Sequence, residues 1–243
     1  YQQQKRGGKG IAALHTSDDD YVQEFLTTTN HQYLCLFTNK GRMHQLKVHQ
    51  VPEGSRTAKG SHIVNLLQLQ EGEKVTLMLQ QKAGVDEDNT YATMVTKQGL
   101  IKRTPLSQFR NIRKMGLIAI ALNEGDSLVW SHLTKGDDEI IVATHDGAAI
   151  RFTEDGARSM GRTGHGVRVI KLREGDYVVG AARAQEGKEV LTITEKGYGK
   201  KTPVEEYRIT NRGGKGVKTI NITEKTGKLI SIQAVTDDND LMI

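Results

Sequence analysis

The stretch IIVATHDG, residues 140–147, sets four consecutive apolar residues directly before a Thr-x-x-Gly turn. A run that short, rich in β-branched residues and bounded by a turn signal, reads as a strand, and the glycine supplies the positive φ of a tight hairpin. The basic, strand-like segment after Gly147 is then the return strand. The pattern recurs: Tyr33 to Phe37 precede Thr38-Asn39-Lys40-Gly41, Tyr91 to Val95 precede Thr96-Lys97-Gln98-Gly99, and Val190 to Ile193 precede Thr194-Glu195-Lys196-Gly197.

A second series interlocks with the first. Basic loops end at Gly10, Gly60, Gly116, Gly166 and Gly216, separated by 50, 56, 50 and 50 residues. Loop glycine and turn glycine are offset by 31, 39, 31 and 31 residues, the long interval carrying extra polar residues in 82–89, as a surface loop does. A third landmark, Glu71-Gly72-Glu73, Glu124-Gly125-Asp126 and Glu174-Gly175-Asp176, precedes a further apolar strand, with Asp18-Asp19-Asp20 and Lys225-Thr226-Gly227 in the matching places. A period of about 50 residues built from short strands and glycine turns implies an all-β, propeller-like array. The units lie near 10–59, 60–115, 116–165 and 166–215, with a partial unit over 216–243. A β-sandwich does not hold such a spacing. No long amphipathic helix interrupts the pattern.

Composition restricts the function. The 34 Lys and Arg exceed the 29 Asp and Glu by enough for a formal charge of +5, which favours a polyanionic partner only where the charges are spatially sorted. The single cysteine, Cys35, lies in the apolar run Tyr33-Leu34-Cys35-Leu36-Phe37 and reads as a buried structural thiol, which excludes a disulfide framework and fits a reducing cytoplasm. No membrane-span-length apolar stretch and no secretory signal are present, so no membrane partner is expected.

The charges sort by phase. Acidic turns (Asp86-Glu87-Asp88, Asp137-Asp138-Glu139, Glu186 to Glu189, Asp237 to Asp240) precede the hairpins, and cations follow them. Four residues beyond each turn glycine stand Gln45, Arg103, Arg151 and Lys201, with Arg42, Lys47, Lys102 and Lys200 nearby. Further on come Arg56 and Lys59, then Arg110, Arg113 and Lys114, then Arg158, Arg162 and Arg168, then Arg208, Arg212 and Lys215. Stacked units would align these clusters into one basic perimeter stripe, suited to the phosphates of duplex DNA, with the acidic turns elsewhere. Aromatics make up only 5% of the chain, which disfavours stacking of single-stranded bases.

The motif QKRGGKG, Gln4-Lys5-Arg6-Gly7-Gly8-Lys9-Gly10, resembles the signature box of the C-terminal domain of the DNA gyrase A subunit, with Lys in its second position. The hairpins, and the phrases FTNKGRMHQLKV (37–48) and AKGSHIVNLLQLQEGEKV (58–75), extend the resemblance over the whole chain. It implies a β-pinwheel, in which neighbouring blades exchange strands, and a non-catalytic domain that binds and wraps double-stranded DNA. The implied partners are DNA, the gyrase B subunit, plus the remainder of the dimeric A subunit, in the cytoplasm and nucleoid, with ATP and Mg elsewhere in the holoenzyme and no cofactor here. Asn211-Arg212-Gly213-Gly214-Lys215-Gly216 keeps part of the box, and the other loops keep little beyond cations and glycine. The family usually has six blades, whereas four full periods and two partial ends are counted here, so the domain is expected to be incomplete. Topoisomerase IV, whose equivalent box is degenerate, and a propeller-type protein-interaction scaffold are the alternatives.

Nothing in the residues argues for catalysis in this chain. Tyr1, Tyr21, Tyr33, Tyr91, Tyr177, Tyr198 and Tyr207 are scattered, the histidines lack ligand spacing, and no P-loop occurs. Strand passage does not itself need the wrap. Replacing Lys5, Arg6 and Lys9 with Ala is therefore expected to leave folding nearly intact and weaken duplex binding only moderately. In the reconstituted enzyme it should abolish ATP-driven negative supercoiling while relaxation persists, and a supercoiling assay beside a relaxation assay reads both.

Overall fold

A computed structural model describes residues 28–29, 32–55, 59–60 and 65–238. The box at Gln4 to Gly10 and Arg56 lie outside the described residues. Within them the regular elements are β-strands and short 3-10 turns, in four small antiparallel sheets. The first hairpin, β1 (Tyr33–Thr38) and β2 (Arg42–Lys47), is flanked by β3 (Val75–Gln81) on the β1 side. The second is β4 (Tyr91–Thr96) and β5 (Leu100–Pro105), with β7 (Leu128–Thr134) beside β4. The third is β8 (Glu139–Thr144) and β9 (Ala148–Thr153), with β11 (Val178–Arg183) beside β8. The fourth is β12 (Glu189–Thr194) and β13 (Gly199–Pro203), with β15 (Leu229–Val235) beside β12.

The remaining strands are two residues long and belong to the wrong unit in sequence. β6 (Leu117–Ile118) follows the second hairpin yet pairs with β2 of the first sheet, β10 (Val167–Arg168) returns to β5, and β14 (Val217–Lys218) returns to β9. Each unit thus closes the sheet before it. This is the strand exchange of a β-pinwheel, and the all-β expectation holds.

Three cores each lie between two consecutive sheets. Cys35, Phe37 and Met43 of the first sheet pack with Met94, Phe109, Ile120 and Leu128, while Val95 and Ile101 of the second pack with Ile140, Val142, Ile150 and Phe152 of the third. Ile141, Ala143 and Ala149 then face Val190, Tyr207, Leu229 and Ile232 of the fourth. Alternate residues of β8 therefore enter two different cores, Ile140 and Val142 one and Ile141 and Ala143 the next. A strand covered on both faces reads as a continuous apolar run, which is what residues 140–143 show. Cys35 is fully enclosed, and burial pushes its thiol up to about 12, consistent with a structural role.

The turn motif has a local cause. In the third hairpin Gly147 sits at φ +88° and donates to Thr144 O at 3.0 Å, while the Thr144 hydroxyl accepts the Ala148 amide at 3.1 Å. The carboxylate of Asp176, from the Glu-Gly-Asp turn, accepts the amides of Asp146 (3.0 Å) and Tyr177 (2.8 Å). Asp126 does the same for Gln98 and Ser127. In the first unit Glu73 takes the Thr38 hydroxyl and the Gln70 amide. Burial pushes its carboxyl up, but those bonds and the charges of His44 and Arg42 hold it below the usual range. The acidic landmark is thus a cap for turn amides that would otherwise lack partners.

The turn glycine also receives the closing strand. Gly147 O accepts the Thr219 amide at 2.8 Å, Gly99 O accepts Val169, and Gly41 O accepts Ala119 and Ile120. A Cβ on Gly147 would stand 2.9 Å from Ile220 O, whereas one on Gly197, at φ +80°, would meet nothing within 4 Å. Gly197→Ala is therefore expected to cost only the backbone strain, roughly 1–3 kcal/mol. Gly147→Ala should cost more, because the docked segment must also move. Urea unfolding midpoints of the two variants check the order.

Candidate nucleic-acid interface

Seventeen of the eighteen perimeter residues lie among the described residues, and fifteen of them fall into three groups, with Arg110 and Lys201 ion-paired to acidic turns. Lys102, Arg103 and Arg151 do not face outward, which corrects the expectation that they contact DNA. Lys102 is fully buried and its Nζ donates to the carbonyls of Ala119 and, at 2.7 Å, Arg162. Burial, helped by the nearby Arg162 charge, lowers its pKa to about 7. A neutral amine still has two N–H groups for those two carbonyls.

Arg103 spans the second and third sheets. Its Nε donates to Ala157 O at 2.7 Å and Nη1 to Glu154 at 2.9 Å. Glu154 is itself enclosed and also accepts the Thr134 hydroxyl and the Asp138 amide. Burial raises its carboxyl pKa against these bonds. Arg151 repeats the arrangement one unit on, with Nη1 on the carbonyls of Val204 (3.0 Å) and Tyr207 (3.1 Å) and the other edge of the guanidinium on Glu139. In both cases a 3-10 turn of the following unit presents carbonyls to the guanidinium fork. The shared phase of Arg103 and Arg151 thus records a contact between units.

The acidic turns are also nearer the cations than expected. An antiparallel hairpin brings the start of its first strand beside the end of its second, so Glu139 meets Arg151 and Glu189 stands 3.5 Å from Lys201. Arg110 is exposed but bonded to Glu87 and Asp88, at 2.6 and 3.1 Å.

A second group holds loop backbone. Arg42 Nη2 donates to Met115 O at 2.6 Å and Gly116 O at 3.3 Å, Arg162 Nη1 donates to Ile118 O, and Arg212 donates to the carbonyls of Gly156 and Arg168.

The third group is exposed. Lys47, Lys59, Arg113, Lys114, Arg158, Arg168, Lys200, Arg208 and Lys215 all face solvent, and among the described residues none of them forms a salt bridge. Most lie on the segments that cross from one hairpin back to the preceding sheet: Arg113 and Lys114 between β5 and β6, Arg158 between β9 and β10, Arg208 and Lys215 between β13 and β14. Parallel bridges Arg103–Ser159 and Arg151–Ile209 hold two of these segments against the sheet before them. A groove of about 730 Å³, lined by Thr153, Asp155, Gly156 and Arg208 to Arg212, runs beside the third crossing segment. Sequence reasoning missed the buried role of Lys102 and Arg103. The signal was present, since Ile150 occupies the position of Lys102 in the next repeat.

Arg103→Ala would leave Glu154 buried without its cation, so a loss of about 3–5 kcal/mol is expected. Lys201→Ala, at the same position of an exposed strand, should change stability by no more than about 0.5 kcal/mol. Denaturant titration of both variants tests the distinction.

The chain matches the family described as "DNA gyrase C-terminal domain, beta-propeller" over residues 1–28, 32–82, 91–135, 138–185 and 188–236. It is 58% identical over its whole length to the DNA gyrase A subunit of Halalkalibacterium halodurans and 49% identical over its whole length to that of Clostridium acetobutylicum, covering 29% of each. It thus spans less than a third of the curated relatives it matches. Its structure is similar to a DNA gyrase A C-terminal domain (TM-score 0.81, 26% identity, 98% of this chain and 77% of that one). A second similar structure is the C-terminal domain of DNA topoisomerase IV (TM-score 0.74, 29% identity, 90% and 68%). With five matched segments that together cover most of the sequence, and the strand-exchanged sheets in place, this chain belongs to the DNA gyrase C-terminal domain family.

Proposed function

We propose that this chain binds duplex DNA along the exposed cations of its crossing segments and wraps it, as the non-catalytic C-terminal part of a gyrase A subunit. The carrying observation is that exposed Lys and Arg side chains that form no salt bridge among the described residues, Arg113, Lys114, Arg158, Arg208 and Lys215, recur on the equivalent crossing segments of three successive units. The whole-chain identity to gyrase A relatives supports gyrase over topoisomerase IV. The partners in this reading are the gyrase B subunit, where ATP and Mg act, together with the rest of the dimeric A subunit.

Bending a duplex through about 180° within some 40 base pairs costs on the order of 10 kcal/mol. Many phosphate contacts on a framework held by buried cores and the Arg103 and Arg151 links offset that cost without reading sequence. The wrap then fixes the handedness of the DNA crossing offered to strand passage, so that ATP-driven passage introduces negative supercoils.

Phosphate contact has a thermodynamic signature. Log affinity for duplex DNA is expected to fall linearly with log salt, by about 0.9 per phosphate neutralised, and to change little between sequences. Replacing Arg113, Lys114, Arg158 and Lys215 with Ala should flatten the slope by about 0.9 per lost contact and shorten the footprint stepwise. A salt-independent affinity in a filter-binding titration would rule the reading out.

A further inference from the structure

The segment that leads into β6 breaks the pattern of its counterparts. The residue before the loop glycine is Lys9, Lys59, His165 or Lys215 in the other repeats and Met115 here. The second residue of the closing strand is Arg168 in β10 and Lys218 in β14, but Ile118 in β6. Met115 is 57% exposed and Ile118 40% exposed, and Met115 follows directly on the exposed cations Arg113 and Lys114.

Single exposed apolar residues are ordinary, but these two stand on a backbone pinned from several sides. Gly116 donates to Arg113 O at 2.8 Å, closing a turn with Lys114 and Met115 at its two central positions. Arg42 holds the carbonyls of Met115 and Gly116, and Arg162 holds that of Ile118. Gly116 lies at φ +72°, and a Cβ there would be 2.8 Å from Met43 O, so the turn is seated directly on β2. The result is a stiff base, cations beside it, and apolar side chains projecting where the other units present charge.

The flanking cations select a polyanion, and the apolar part of a nucleic acid duplex is the faces of its bases. Apolar side chains that enter a duplex between base pairs unstack one step and kink it. We propose that Met115, backed by Ile118, is such a wedge, inserting into the bound duplex and concentrating part of the wrap's bend where the path crosses this segment. The proposal rests on the DNA-wrapping reading above. Pyrimidine–purine steps are the cheapest to open, so the duplex should settle with such a step at Met115.

The test uses the whole chain and a series of duplexes long enough to be wrapped, each with 2-aminopurine at a single TA step moved along the series. Unstacking raises 2-aminopurine fluorescence. A several-fold rise is expected at a subset of positions on binding. Met115→Ala and Met115→Ala/Ile118→Ala should return it to the free-duplex level, with binding weakened only a few-fold and an unchanged salt slope. Met115→Lys, which restores the residue of three of the four other repeats, should keep or tighten binding and also lose the signal, separating a wedge from a merely structural side chain. Circular dichroism confirms that each variant is folded. Binding without a rise at any position, or a rise that Met115→Ala leaves intact, overturns the wedge. A changed sedimentation mass of the free Met115→Ala chain with no change in fluorescence overturns it in favour of a protein contact. Failure of the unaltered chain to bind any duplex at low salt would instead overturn the wrapping reading itself.

Discussion

Everything in this fold depends on how closely a closing segment can approach a hairpin turn. The carbonyls of Gly41, Gly99 and Gly147 accept amides of the following unit, and the two-residue strands β6, β10 and β14 pair immediately beside them. A Cβ at Gly41 would stand 2.3 Å from Ile120 O, so only glycine allows the approach. Once that backbone contact is made, the apolar faces of consecutive sheets are brought together and a core forms between them. Stability in such an array is a sum over neighbouring units and the interfaces between them.

Charged side chains reinforce the same interfaces. Arg103 and Arg151 turn their guanidinium forks toward carbonyls of the next unit, and Lys102 ties two crossing segments together from inside. These groups lie where removing one partner strands the other out of water, which makes them costly to lose even though surface ion pairs contribute little. Division of labour follows from burial. The enclosed cations fix the spacing of the units, and the exposed ones on the crossing segments form no salt bridge among the described residues.

That division fits the proposed binding of a bent duplex. A curved ligand can be held only by a support stiffer than itself, and the crossing segments gain their stiffness from parallel bridges and arginine contacts to the preceding sheet. The cations they carry are mounted on a framework rather than on free loops, so less side-chain and backbone freedom is lost on binding.

The hairpins, their period and the all-β class were legible in the sequence, because each rests on local chemistry: a short apolar run, a threonine hydroxyl, a glycine with positive φ and an acid two residues beyond a glutamate. The run at residues 140–143 even carried the signature of burial on both faces. Which cations would stand exposed was legible only in outline. Arg103 and Lys201 share a phase, yet one is enclosed by the following unit and the other lies on an exposed strand. That difference is made by residues such as Glu154 and Ala157, more than fifty positions away in sequence and brought close only by the exchange of strands. Sequence phase determines which face of a strand a side chain takes, whereas burial depends on what the rest of the chain sets against that face, and only the tertiary structure decided it.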